Sequence, residues 1–335
     1  MSNHRSSHGQ LTTIAAFIAL GFAGSALAGS GTDATPSLPA PAVCKLARIP
    51  TALPAALCRK GTSATKSADG ATTYTYQSFD YPGASLTIPY GISDFGDLAG
   101  QYSIGSGKSH AFVYHRGQFK PLDPDVLGTY FSAAGGPSDF GTTYGAYADM
   151  TGTQHGFVLQ GSHFATVDFP GHLNSNVDQV NLYGTIAGVY WDADGIFHGI
   201  LRQGSNRYTA IDMTGARDTY PLGINDNGEV VGYWDTNPPL QHGFYRSANG
   251  QLLTIDVPGG TSTVPYEIND SGQIVGYYAD ASGVGHGYIE TRGKVQNIDM
   301  PGAALTIATA INNLGVIAGE YFDTAGKVHG FIATP

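Results

Sequence analysis

The chain has 335 residues, enough for one or two domains. Its formal net charge is −10, with only 16 Lys and Arg and no cluster of them, which argues against a nucleic-acid or anionic-membrane partner. Hydrophobic residues make up 41%, ample for a core and against a disordered chain, while 47 Gly and 20 Tyr point to many short strands and turns.

Residues 1–28 read as a secretory signal peptide. Arg5 supplies the positive n-region, Leu11 to Gly24 the apolar run, and Ala26-Leu27-Ala28 a small-residue cleavage site with the cut after Ala28. The run is too short and too rich in Ala and Gly to span a bilayer well, and nothing after residue 30 has the roughly 18 apolar residues of a transmembrane helix. No Cys immediately follows the cleavage site, so a lipoprotein anchor is not indicated. The mature chain is expected to be soluble, secreted or periplasmic, and monomeric. Residues 29–71 form a Pro/Ala/Ser-rich leader carrying the only two cysteines, Cys44 and Cys58. In an exported chain these are expected to form a disulfide, closing a loop of about 15 residues; two idle thiols are the alternative.

From residue 72 the chain repeats itself. Aligned on His followed by Gly or Ala, the markers are His110, His155, His198, His242, His286 and His329, spaced by 45, 43, 44, 44 and 43 residues. Aligned on the Asp of Ile-Asp-x-Pro-Gly they are Asp80, Asp123, Asp168, Asp212, Asp256 and Asp299. A period near 44 matches one four-stranded propeller blade. In each unit, strand a ends in Ile-Asn and a tight Gly turn follows, as at Asp226-Asn227-Gly228. Strand b is a Val-Gly-x-Tyr type run, strand c opens at the marker His, and strand d ends in Ile-Asp. The first strand, Tyr74–Asp80, is an orphan of type d, and the last unit stops after its c strand. The expected fold is therefore all-β, a six-bladed β-propeller closed 3+1 by the N-terminal strand; an open stack of six units is the alternative. Units two and three depart from the pattern, at Ser138-Asp139 and Val180-Asn181, and departures are where a site can be built or where drift appears first.

The recurring Ile-Asn-Asx-x-Gly-x-Ile-Val-Gly-x-Tyr, the His-[Gly/Ala]-Phe written here as His110-Ala111-Phe112, and Ile-Asp-x-Pro-Gly resemble the extracellular HAF-repeat family of bacteria over residues 72–335. The resemblance implies export, a bacterial source and a propeller-like array. It implies no reaction.

Chemistry is harder to find. Six equivalent histidines around a ring lie too far apart to share a metal, so no metal and no cofactor is expected, and each imidazole is expected to bond backbone at the b–c corner. The b–c loops carry Asp149, Asp192, Asp235, Asp280 and Asp323, with Trp191, Trp234, Tyr278 and Tyr321 nearby. Such a collar of carboxylates and aromatic rings is the chemistry of sugar recognition, although Asp opening a turn explains its recurrence equally well. No Gly-x-Ser-x-Gly elbow, His-Glu-x-x-His or Cys/His zinc spacing is present. The reading is an exported, non-enzymatic binding or scaffold protein, with a carbohydrate or a cell-surface protein as its partner. A propeller-type carbohydrate hydrolase or lyase using the loop carboxylates is the alternative.

Overall fold

The computed structural model describes residues 72–105, 109–122, 131–172, 174–205, 207–236 and 240–335. The signal peptide, the leader with Cys44 and Cys58, and the marker Asp123 lie outside the described residues. Every regular element among the described residues is a strand. One stands alone at the front, β1 (Thr75–Phe79). Unit one has β2 (Leu86–Ile92), β3 (Leu98–Ser103), β4 (His110–His115) and β5 (Gln118–Pro121). Unit two has β6 (Phe131–Gly135), β7 (Thr142–Ala148), β8 (Gln154–Gln160) and β9 (His163–Val167). Unit three has β10 (Asn174–Val180), β11 (Ile186–Trp191), β12 (Phe197–Gln203) and β13 (Arg207–Ile211). Unit four has β14 (Asp218–Ile224), β15 (Val230–Asp235), β16 (Gln241–Arg246) and β17 (Leu252–Thr254), and unit five β18 (Ser262–Ile268), β19 (Ile274–Ala279), β20 (Gly285–Thr291) and β21 (Lys294–Asn297). Unit six has only β22 (Leu305–Ile311), β23 (Ile317–Phe322) and β24 (Val328–Thr334).

Within a unit the strands pair antiparallel in chain order, and units two to five are separate four-stranded sheets. β1 pairs antiparallel with β24, from Thr75↔Thr334 to Phe79↔Gly330, and so supplies the fourth strand that unit six lacks. A single parallel bridge, Leu86↔Val328, joins that sheet to unit one and makes the two an eight-stranded sheet. In units four to six the first strand is the best covered, with β14 and β22 buried along their whole length, whereas the fourth strand β17 is mostly exposed. The core therefore lies between neighbouring units, on their a to c strands.

The signature residues have packing reasons. A Cβ on Gly232 of β15 would run into the carbonyl oxygen of Tyr220 on β14. A Cβ on Gly243, which follows the marker His242, would stand 2.6 Å from the Ile255 carbonyl and 2.9 Å from the Pro265 ring of the next unit. The Gly of the His-Gly signature thus sets how closely one unit approaches the next.

The Asn of Ile-Asn does two things. Its side chain caps its own turn, as Asn225 Oδ1 accepts Glu229 N–H at 2.9 Å around Gly228 at φ 79°. Its Nδ2 donates to the backbone carbonyl of the same turn in the following unit: Asn181 to Asn225 at 3.0 Å, Asn225 to Asn269 at 3.1 Å, Asn269 to Asn312 at 3.0 Å, and Asn312 to Ser93 at 3.0 Å. The last of these joins unit six to unit one across 219 residues of sequence. Strand a ends at the Ile of Ile-Asn, one residue before the expected Asn, because the Asn belongs to the turn rather than to the ladder.

Deleting residues 72–80 removes β1 and Asp80. Since β24 then keeps an open edge, the melting temperature in a thermal scan is expected to fall by at least about 5 °C; an unchanged midpoint means that the β1–β24 pairing adds nothing.

Candidate functional site

Five of the six marker histidines, all but His110, whose Asp123 lies outside the described residues, stand on the c strand and meet the Asp that ends a d strand. The Nδ1–carboxylate distances are 2.9 Å for His155–Asp168, 3.3 Å for His198–Asp212, 2.8 Å for His242–Asp256, 2.9 Å for His286–Asp299 and 3.0 Å for His329–Asp80. The imidazoles do not bond backbone as expected. Their partners are carboxylates, and the two sequence landmarks used to find the repeat are two halves of one contact. On the other ring edge, Nε2 faces the b–c loop carboxylate at 3.7 Å in His155–Asp149, 3.6 Å in His198–Asp192 and His286–Asp280, and 3.4 Å in His329–Asp323.

The loop carboxylates are spent on their own turns as well. Oδ1 of Asp280 accepts Ser282 N–H at 2.8 Å and Val284 N–H at 2.9 Å, and Asp149, Asp192 and Asp323 accept the same pair of backbone donors. Backbone N–H groups, led by Val284, Ile196 and Lys327, then the histidine, hold the carboxyls of Asp280, Asp192 and Asp323 below the usual range. Asp149 is lowered too: burial opposes it, but the Thr151 and Thr153 donors and His155 outweigh that. The hydrogen bond from Asp168 pushes His155 up against the opposing effect of burial.

The aromatic residues divide into two sets. Tyr278 and Tyr321 stack on His286 and His329 with ring centroids 5.2 and 5.0 Å apart, and Trp234 stacks on His242 at 4.6 Å. These rings are packing partners of the histidines. Trp191 lies one residue further along its strand, so it points to the opposite face and packs at 5.1 Å against Phe197. Asp235 holds the position of Trp191, not that of Asp192, and is likewise turned away from the collar. It sits across the sheet register from Asp218. Burial, then the Asp218 carboxylate, push the Asp235 carboxyl up, and its Oδ1 is buried without a hydrogen-bond partner. Asp149, Asp192, Asp280 and Asp323, with Trp234, Tyr278 and Tyr321, thus share the face of the histidines, whereas Asp235 and Trp191 do not.

Two cavities among the described residues bear on a site. A surface pocket of about 290 Å³ lies on the His–Asp face at the junction of units four and five, bordered by Leu240, Gln241, His242, Asp256, Thr261 and Ser262. Ser262 Oγ donates to Gln241 Oε1 at 3.0 Å across it. The second cavity, of about 60 Å³, is lined by the a strands of all six units, through Tyr90, Gly135, Asp178, Leu222, Tyr266 and Thr309 among others. In five units a register shift in the first strand leaves one residue unpaired, and those residues are Tyr90, Asp178, Leu222, Tyr266 and Thr309. The bulge is what turns them inward. A space of this size admits a few waters but falls well below the roughly 300–1,000 Å³ of ligand sites.

Around this cavity burial pushes three carboxyls, Asp178, Glu267 and Glu320, up to about 8. Glu267 is bonded, by Gln179 Nε2 and Ile311 N–H at 2.8 Å each, and Tyr144 OH donates to Gln179 at 2.5 Å. One oxygen of Asp178 and one of Glu320 are buried without a partner. The sequence reading missed these three residues. The available signal was Asp178-Gln179 in unit three, standing where unit four has Leu222-Gly223. Among the described residues, no three His, Cys, Asp or Glu side chains are grouped to hold a metal ion.

No family model and no curated protein matches the chain. Among solved structures it is similar to a candidate TolB from Agrobacterium tumefaciens, with a TM-score of 0.50 and 10% identity, covering 79% of this chain and 92% of that one. It is also similar to the Aleuria aurantia lectin, described as a six-bladed β-propeller with a fucose recognition mode (TM-score 0.42, 11% identity, 64% of this chain and 77% of that chain). A third is the BP39L lectin from Burkholderia pseudomallei (TM-score 0.43, 9% identity, 70% and 77%). The likeness to TolB concerns the fold alone, and the lectin likenesses carry no argument about a ligand.

A raised imidazole and a raised carboxyl both cost stability as pH increases, the first by losing a charged pair and the second by charging a buried group. His155 is raised in the fold, so its contribution is complete below its unfolded value of about 6.5 and is lost as pH rises through the folded one. Asp168→Asn is therefore expected to lower the melting temperature by about 2–3 °C at pH 6 and by less at pH 8.5; an equal loss at both pH values removes the charged pair from the account. Asp178 is raised as well, so the protein loses stability as pH climbs from about 4 to about 8. The Asp178→Asn variant lacks this loss, and its melting temperature relative to the parent is expected to gain several degrees between pH 4.5 and pH 8.5.

Proposed function

We propose that residues 72–335 form a six-bladed β-propeller closed 3+1 by the N-terminal strand, and that the protein is a secreted or periplasmic, non-enzymatic binding or scaffold protein of the HAF-repeat type. The β1–β24 pairing and the Asn312–Ser93 and His329–Asp80 bonds support the closed ring, since they repeat between the ends what other units make in sequence. The observation that carries the functional reading is the occupation of the loop carboxylates. Asp149, Asp192, Asp280 and Asp323 each serve a turn and a histidine, and are held ionised below the usual carboxylate range. A general acid must hold a proton near the working pH, so these four do not suit the hydrolase alternative, and Asp235, the one that is raised, is turned away from them.

For a ligand, the surface pocket between units four and five offers amide, hydroxyl, imidazole and carboxylate groups on one rim: Gln241, Thr261, Ser262, His242 and Asp256. Such groups match the donors and acceptors of a sugar, and carbohydrate is the ligand class proposed for it. On a glycan array the purified protein is expected to retain a restricted set of glycans, and Gln241→Ala to lose them by at least about tenfold. Binding that survives Gln241→Ala but not Trp191→Ala would move the site to the other face of β11. No glycan retained at all would leave a protein ligand or a purely structural role.

A further inference from the structure

The opposite rim, made by the a–b turns, is built differently. The second residue of each turn donates its backbone N–H to the side chain at the same position in the next unit: Leu182 to Asp226 at 2.7 Å, Asp226 to Asp270 at 2.8 Å, Asp270 to Asn313 at 2.9 Å, Asn313 to Asp94 at 2.7 Å, and Asp94 to Asp139 at 2.7 Å. These bonds put all six turns on one face and in a fixed order. The ladder runs from unit three around to unit two and stops there, because unit three offers Leu182 where an acceptor is required. The next residue of each turn points outward. It is polar in units four and five (Asn227, Ser271) but large and apolar in the four consecutive units six, one, two and three: Leu314 is 52% exposed, Phe95 47%, Phe140 60% and Tyr183 69%. Leu182 beside the break is 39% exposed. Neighbouring apolar groups held out to solvent by rigid turns mark an interaction surface, with aromatic rings as its anchors.

The charge on this rim selects the partner. The six turns hold Asp94, Asp97, Asp139, Asp226, Glu229 and Asp270, and no Lys or Arg. Asp97 is matched by His115 at 2.7 Å. The ladder uses one oxygen each of Asp94, Asp139, Asp226 and Asp270. Burial first, and then the nearness of Asp94 and Asp226, push the Asp139 carboxyl up to about 6, and Asp226 is raised by burial and by Asp270 and Asp94. Within the ring of a–b turns this charge favours a cation, whereas the c–d turns beside it carry Arg116, Arg246, Arg292 and Lys294.

We propose that the a–b rim docks a partner protein through a segment carrying Lys or Arg beside an apolar side chain, the cation over Asp94 and Asp139 and the apolar group against Phe95, Phe140 and Tyr183. The site is independent of the sugar pocket on the other rim.

A random peptide library displayed on phage, selected on the full-length chain, tests this. The expected outcome is enrichment of basic–apolar sequences whose synthetic peptides bind at least about tenfold more weakly to Phe140→Ser/Tyr183→Ser. Asp139→Asn should weaken binding several-fold and flatten its salt dependence, while Gln241→Ala leaves it intact. Phe95→Ser/Leu314→Ser serves as a second surface variant, and unchanged melting temperatures guard against unfolding. The proposal is overturned by selected peptides without a basic residue, or by binding indifferent to all these variants. It is also overturned if Phe140 and Tyr183 govern binding to phosphatidylcholine–phosphatidylglycerol vesicles or self-association in sedimentation.

Discussion

A histidine held between two carboxylates is the contact on which the described structure depends. It ties three parts of a unit that the strand ladder alone leaves loosely related: the c strand, the b–c loop and the exit of the d strand. In unit four, Asp256 also takes the N–H of Gly243 at 3.0 Å, so the carboxylate fixes the backbone at the glycine that touches the next unit. The aromatic residue of strand b stacks on one face of the imidazole, while the carboxylate stays part-exposed. One side-chain cluster thereby sets strand order, loop shape and the spacing between neighbouring units, and a 44-residue period follows from the need to repeat it. An exposed ion pair is worth little; here its value lies in the geometry it imposes in several places at once.

Much of this was legible in the sequence. Two landmarks with one period marked the repeating strands, the Gly turns marked the hairpins, and the orphan strand at Tyr74–Asp80 pointed to the pairing of β1 with β24. What the sequence concealed was physical rather than statistical. Nothing in a linear order says that His286 and Asp299 touch, because their approach is made by the c–d hairpin. At the end of strand b, side chains alternate between faces, so the one-residue offset between Trp234-Asp235 and Tyr190-Trp191-Asp192 sends Asp235 inward and breaks the apparent collar. The bulge in the first strand was equally hidden. Its residue varies among Tyr, Asp, Leu and Thr, since a position facing a cavity is not constrained by a ladder.

The two rims and the axis carry different physics. On the His–Asp rim nearly every charged group has a partner, and selectivity must come from small polar differences between units. On the a–b rim the carboxylates outnumber their partners and apolar rings stand in the open. Between them lies a narrow cavity whose carboxyls are pushed toward neutrality by burial. Sites that share one scaffold in this way are open to change one unit at a time, because each turn or loop is held by its own unit's contacts.

The β1–β24 pairing has a kinetic side. Asp80 and His329 are 249 residues apart in sequence. Joining such distant segments costs little at equilibrium, since loop entropy grows only with the logarithm of length, but it delays the final step of folding. Until β1 arrives, β24 presents a row of open backbone groups, and a β1 strand from another molecule fits it equally well. The protein is thus exposed to strand exchange during that interval. Asp80, bonded at once to His329 and to Lys327 at 3.0 Å, ties the exit of β1 to β24 once the two have paired.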